Sequence, residues 1–209
     1  MKKITKISMA LVMALAVTGS IATTANAAGL TDASGAIWDT STSSTAVDLG
    51  CIAQLTEQLP GASLETLNSA CTVTTVIKSK VERVVTQPSG MTRLAANPIY
   101  SKSWEIDKIG ITYYEISKGK FYYDGNQAWS TKTYRGFTGS HECQAPGSWG
   151  VTVVVSVQGC TTSYSSSGAS VTDRETYKVS AFVSGFPVYW VYAMSELSNA
   201  NGSTTARDF

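Results

Sequence analysis

The sequence predicts an α+β protein, mainly β: an antiparallel β-sandwich or open barrel preceded by a short disulfide-stapled helical hairpin. Three observations carry this. From about residue 99 to residue 209, apolar and polar residues alternate with period two in several short runs separated by Gly-containing turns. Between Val47 and Cys71 the apolar spacing is helical instead, and Cys51 and Cys71 flank that stretch. Charged residues make up only 15% of the chain against 10% aromatic, with Ser, Thr and Gly abundant, as in an all-β extracellular surface rather than a disordered polyelectrolyte.

Residues 1–27 read as a secretory signal. Lys2, Lys3 and Lys6 precede an apolar run from Ile7 to Val17, and the small-residue stretch closes on Ala25-Asn26-Ala27, so cleavage is expected after Ala27. The apolar run is about half the roughly 20 residues a spanning helix requires, so no stable membrane insertion is expected. Loss of the three lysines takes the formal charge of +1 down by three, to −2. A mildly acidic chain argues against nucleic acid as a partner.

Residues 28–46 carry Gly, Ser, Thr and Ala with a lone Trp38 and read as a flexible leader. Residues 47–86 are expected to hold a helical hairpin plus a first strand. Ile52, Leu55 and Leu59 fall at i, i+3, i+7; Pro60-Gly61 breaks the chain; Leu64, Leu67 and Cys71 repeat the spacing, with Ser63 as N-cap of the second helix. From Thr72 to Val85 the β-branched content favours a strand, with a helix over 76–84 as the alternative. Residues 87–98, with two prolines and a Gly, read as a linker.

Residues 99–209 are expected to form the antiparallel β domain. Trp104 and Ile106 oppose Glu105 and Asp107; Ile111, Tyr113 and Glu115 oppose Thr112, Tyr114 and Ile116. Turns are expected at Lys118-Gly119 and Asp124-Gly125, and a further strand over Ala128 to Tyr134. Val151, Val153, Val155 and Val157 share one face of another strand, and alternation resumes from Tyr177 to Val183 and from Val188 to Met194.

The four cysteines, Cys51, Cys71, Cys143 and Cys160, all lie in the exported part, where oxidation is the default. Proximity in sequence pairs Cys51 with Cys71 and Cys143 with Cys160, and each loop of roughly 20 residues contributes about 3 kcal/mol in the chain-entropy account. Zinc is the weaker reading, because neither pair has Cys-x-x-Cys spacing. No metal and no cofactor is expected.

His141 is the one histidine, which excludes any site needing two imidazoles from one chain. No Gly-x-Ser-x-Gly elbow is present, and His141 reads as a loop residue beside a disulfide. Glu105 and Asp107, at i and i+2, share a strand face roughly 7 Å apart, which is within the spacing of a two-carboxylate glycoside hydrolase. Charges on a solvent-facing sheet surface give the same pattern. Trp104, Tyr114, Tyr122, Trp129 and Trp190 are the binding candidates, because adjacent aromatic pairs such as Tyr122-Tyr123 and Tyr189-Trp190 place rings on both faces of a strand. Burial of both faces is the competing account.

The strings Phe121-Tyr122-Tyr123-Asp124-Gly125, Thr133-Tyr134-Arg135-Gly136 and Thr138-Gly139-Ser140-His141-Glu142-Cys143 resemble uncharacterised secreted proteins of actinobacteria and related Gram-positive bacteria. Cys71-Thr72-Val73-Thr74 and Lys178 through Pro187 extend the likeness. The resemblance implies an exported bacterial protein and transfers no catalytic residue.

The function expected from the sequence is a secreted binding or interaction module with a cell-surface glycan or protein as partner, leaning away from an enzyme. The alternatives are a carboxylate-dependent glycan hydrolase acting through Glu105 and Asp107, and a secreted effector, a bacteriocin or inhibitor, in which residues 28–97 are a cleaved pro-region.

Overall fold

A computed structural model describes residues 23–25, 30–31, 37–83, 97–148 and 153–208. Most of the expected signal and of the linker over 87–98 lies outside the described residues.

Near the start of the described chain are three short strands, β1 (Thr23–Ala25), β2 (Leu30–Thr31) and β3 (Ile37–Trp38), followed by β4 (Thr40–Val47). The stretch that reads as a flexible leader therefore contains all but the last residue of an eight-residue strand, which pairs antiparallel with β5 (Thr72–Arg83). Its Ser/Thr run has no apolar alternation to announce it, since most of its side chains face solvent and the pairing uses backbone groups. Trp38 is buried.

Between β4 and β5 stand the two helices. α1 (Leu49–Gln58) is capped by Asp48, whose side chain accepts from the Cys51 amide at 2.9 Å. It ends at Leu59, before Pro60 and a Gly61 with φ of 103°. α2 (Leu64–Cys71) is capped by Ser63, which accepts from the Thr66 amide at 3.2 Å. The buried positions are Cys51 and Leu55 on α1 and Leu67 and Cys71 on α2, and the Cys51–Cys71 disulfide joins the helices. Leu64, expected inside, is exposed.

The first sheet has seven antiparallel strands in the order β1-β4-β5-β6-β7-β11, with β6 at Tyr100–Gly110, β7 at Tyr113–Tyr123 and β11 at Ser140–Ser148; β8 (Ala128–Trp129) also pairs with β7. β9 (Thr133–Tyr134) and β10 (Phe137–Thr138) form a small hairpin, so Ala128 to Tyr134 is two short strands rather than one. The second sheet runs β12-β13-β14-β15, with β12 at Val154–Tyr164, β13 at Ser170–Val183, β14 at Phe186–Asn199 and β15 at Thr204–Asp208. The turn joining β13 to β14 uses Ser184 and Gly185 at φ of 53° and 84°, the paired positive values a two-residue hairpin loop requires.

No turn forms at Lys118-Gly119. β7 passes straight through, and the reversal occurs at residues 111 and 112. Gly119 is instead a gap in the sheet: a Cβ there would stand 2.8 Å from the Trp104 ring and 2.7 Å from the Ser140 carbonyl oxygen. Glycine inside a strand marks such a close approach.

The two sheets face each other. Trp104, Ile106, Tyr113 and Phe121 from the first join Val171, Tyr177, Val179, Trp190, Tyr192 and Met194 from the second in one buried cluster. Tyr113 meets Trp190 edge-on at 6.0 Å, and the Tyr177 hydroxyl donates across the interface to the Ile116 carbonyl at 3.0 Å. The Cys143–Cys160 disulfide ties β11 to β12, the neighbouring margins of the two sheets. Both local cysteine pairings predicted from spacing are present. Two disulfides fit an oxidising environment, and no described helix is long and apolar enough to cross a membrane.

Candidate functional site

The aromatic residues offered by the sequence are largely interior. Trp104, Trp129 and Trp190 are buried; Tyr114 and Tyr122 are half-buried. Trp104 and Trp190 point between the sheets. Trp129 lies under the β9–β10 hairpin: Tyr122 stacks on it at 5.8 Å, Tyr134 meets it edge-on at 4.9 Å, and its indole N–H donates to the Phe137 carbonyl at 3.1 Å. Burial on both sheet faces accounts for these three tryptophans, and none presents a free ring face.

Glu105 and Asp107 do share a face of β6, but a third residue stands between them. Lys78, on the neighbouring β5, places its ammonium 2.7 Å from Glu105 Oε1 and 2.7 Å from Asp107 Oδ2. Register explains the meeting, since Lys78 pairs directly with Glu105 and Val76 with Asp107. Burial opposes charge on Lys78, yet hydrogen bonds to Asp107 and Glu105 outweigh it and hold the ammonium above the ordinary lysine range. Tyr114 covers the group, with its hydroxyl pushed up to about 12 by burial first and by Asp107 second.

A second polar group, which the sequence does not reveal, lies between the sheets. Gly119 leaves room on the inner face of β7, and the His141 imidazole packs there at 6.0 Å from Trp104. His141 pairs in register with Gly119, and its side chain is only 2% exposed. Its Nε2 is 3.2 Å from Glu175 Oε1; its Nδ1 is 3.6 Å from Asp173 Oδ1 and 3.4 Å from the Thr162 hydroxyl. Both acids lie on β13, two residues apart and so on one face. Thr162 donates to Asp173 at 2.6 Å, and Tyr177 donates to Glu175. Burial pushes the carboxyls of Asp173 and Glu175 above their ordinary range, with hydrogen bonds and the imidazole opposing it.

Glu115 adds a further inward acid beside its register partner Lys108. It is fully buried, neither carboxyl oxygen has a hydrogen-bond partner, and desolvation pushes it up to about 9. Lys108 reaches Asp48 at 3.4 Å and sits over the Tyr192 ring at 3.9 Å. Sequence alternation does put Glu115 on the face of Tyr113, but no sequence rule says that this face is wholly buried.

His141 and the sulfurs of Cys143 and Cys160 lie within 4.8 Å of one another. The sulfurs are joined to each other, so they offer no thiolate to a metal. His141 is therefore a core residue behind a disulfide, not the loop residue its local sequence suggests.

Among the exposed apolar side chains are those at the β13–β14 turn. Phe182 and Phe186 flank the β13–β14 turn at 57% and 62% exposure, with Leu64 and Ile111 also exposed. A cavity of about 500 Å³ opens between this turn and α2, lined by Ile111, Tyr113, Phe182 and Trp190 with Ser69 and Thr112 among its polar residues. A neighbouring one of about 630 Å³ runs from Phe186 along the loop joining the helices, Leu59 to Ser63. Glu65 is the acidic residue lining the first, and none lines the second.

No family model, no curated protein and no solved structure matches this chain.

Proposed function

We propose that the protein is a secreted binding module, released by cleavage after Ala27, that engages a protein partner outside the cell through the apolar end formed by the β13–β14 turn and the helical hairpin. The observation that carries this reading is the exposure of Phe182 and Phe186 at the mouths of two adjoining cavities. Register puts Phe182 and Phe186 on opposite faces of the hairpin, so both sides of this turn present an exposed aromatic ring, and aromatic residues are enriched at the cores of protein interfaces. A sugar platform would use tyrosine or tryptophan faces; the tryptophans offered for that role are packed inside, and the exposed Tyr189 has the Lys178 ammonium over its ring at 4.3 Å. A carboxylate-dependent hydrolase is disfavoured, because Lys78 occupies the space between Glu105 and Asp107 and is ion-paired to both.

The test uses the exported chain purified from culture supernatant and labelled at its N-terminus. Intact mass reports whether the chain begins at Ala28. Binding to intact cells is then measured before and after protease treatment of the cells, for the native chain and for a Phe182→Ser/Phe186→Ser variant whose circular dichroism matches it. Binding lost with protease and lost in the variant supports the reading. Binding that survives both treatments, or that is competed by soluble cell-wall glycan, overturns it.

A further inference from the structure

We propose that Cys143–Cys160 is a thiol-disulfide exchange site: an external thiolate attacks Cys160, and Cys143 departs toward His141. The two disulfides of the chain differ in exposure and in their neighbours. Cys51 and Cys71 are 2% and 1% exposed inside the helical hairpin, while the one histidine of the chain lies beside the other pair. Cys160 is exposed on the margin strand β12, and Cys143 is half-buried on β11.

His141 makes the two sulfurs unequal. Its Nε2 lies 3.5 Å from Cys143 Sγ, and its Nδ1 lies 3.9 Å from Cys160 Sγ. Cys160, the more exposed residue of the pair, therefore carries the sulfur farther from the imidazole, and the sulfur that leaves is the nearer. Exchange speeds up when the departing thiol is the better leaving group, and a thiolate is stabilised by an adjacent imidazolium. The charges facing that imidazole are Glu175 at 3.2 Å from Nε2 and Asp173 at 3.6 Å from Nδ1, with the Thr162 hydroxyl at 3.4 Å. Both carboxyls lie on β13 and face the ring, which is shielded from water at 2% exposure.

The step balances without any group beyond an external thiol. The attacking sulfur forms a bond to Cys160 Sγ as the Cys160–Cys143 bond breaks, and the electron pair leaves on Cys143 Sγ, which takes a proton from His141 Nε2 while the ring regains the one that the attacking thiol released. A second external thiolate then attacks the sulfur of the first, freeing Cys160 as a thiolate. Two external thiols become one disulfide, and Cys143 and Cys160 become a dithiol. The same bond holds β11 to β12, so its opening also frees the margin where the two sheets meet.

The experiment exposes the exported chain to reduced glutathione, quenches with acid and alkylating agent at intervals, and maps each cysteine by peptide mass. Cys143–Cys160 is expected to open while Cys51–Cys71 stays closed, with glutathione found on Cys160. His141→Asn is expected to slow opening by roughly tenfold, through loss of leaving-group stabilisation, while access to Cys160 is unchanged. Opening of both bonds together, glutathione on Cys143, or an unchanged rate in a folded His141→Asn chain overturns the proposal. Should that variant fail to fold by near-ultraviolet circular dichroism, the choice of bond and of sulfur in the native chain decides alone. Neither readout involves Phe182 or Phe186, so failure here is separate from failure of the binding reading.

Discussion

The side-chain amide of Gln54 pairs with the backbone of Val191 in both directions, donating to its carbonyl oxygen at 2.8 Å and accepting from its amide at 2.8 Å. Gln58, one turn later on α1, does the same for Tyr189, at 2.6 Å and 2.9 Å. Residues four apart on a helix and two apart on a strand are both separated by roughly 6 to 7 Å, so the two amides stand in for a neighbouring strand. β15 pairs with β14 only from Met194 to Ser198, which leaves this part of the edge otherwise unpaired in the sheet.

Gln54→Ala/Gln58→Ala should therefore expose a sheet edge. The expected loss is about 0.5–1.5 kcal/mol for each hydrogen bond in urea unfolding, because water replaces the amides at an exposed edge. The variant should also self-associate through the bared strand, which light scattering on a sizing column would detect. A monomer of native stability would contradict the edge-capping role.

The buried acids predict a stability that falls as pH rises. Burial pushes Glu196 up to about 7 and Glu115 up to about 9, from an ordinary 4.5 for both, and raises Asp173 and Glu175. Below the ordinary value, folded and unfolded chains are both protonated and no penalty arises. Above it the unfolded chain releases its protons first, so each group subtracts about 1.4 kcal/mol per pH unit until its folded value is passed. Asp124 acts in the opposite sense: although burial alone would raise it, bonds from the Gln127 and Asn126 amides and from Arg135 hold it low, so its contribution is lost in acid. The melting temperature should be higher near pH 5 than at pH 8. Glu196→Gln should raise it at pH 8 and leave it nearly unchanged near pH 4.5.

Lys78 neutralises two carboxylates, of which Asp107 is 3% exposed. Lys78→Met should lower stability by about 3–5 kcal/mol at neutral pH by leaving a buried charge unpaired. Adding Asp107→Asn should restore part of the loss. Equilibrium unfolding of the single and double variants checks this, and equal losses in both would refute it.

Gly119→Ala tests the gap beneath Trp104 and His141. Because the new carbon would stand 2.7 Å from a backbone oxygen as well as 2.8 Å from the indole, the strand itself must shift. A loss of about 1–3 kcal/mol is expected from overpacking, together with a change in tryptophan fluorescence. In reduced glutathione the variant should open Cys143–Cys160 at an altered rate, since His141 pairs with this residue.

Much of the architecture was legible. The helical hairpin, its Ser63 cap, the strand from Thr72 and both cysteine pairings follow from local spacing, and the structure contains each of them. β4 was hidden because its Ser and Thr side chains carry no alternation, and the reversal at Lys118-Gly119 was misplaced because a glycine admitting a ring looks, in one dimension, like a glycine admitting a turn.

The candidate sites were less legible. Glu105 and Asp107 share a face as period two dictates, but Lys78 lies 27 residues from Glu105 and meets it only through strand register. His141 is joined to Asp173 and Glu175 across two sheets.

By itself, then, the sequence determined the helical hairpin and the strands with clear alternation, which side chains share a face along them, and which cysteines are near enough to join, because each depends on neighbours along the chain. The tertiary structure decided which faces are covered. It put Trp104, Trp129 and Trp190 inside, left Phe182 and Phe186 outside, and set His141 behind a disulfide. A strand's alternation names its two faces without saying what lies against either; only the packing of a second sheet, a hairpin or a helix removes one from water.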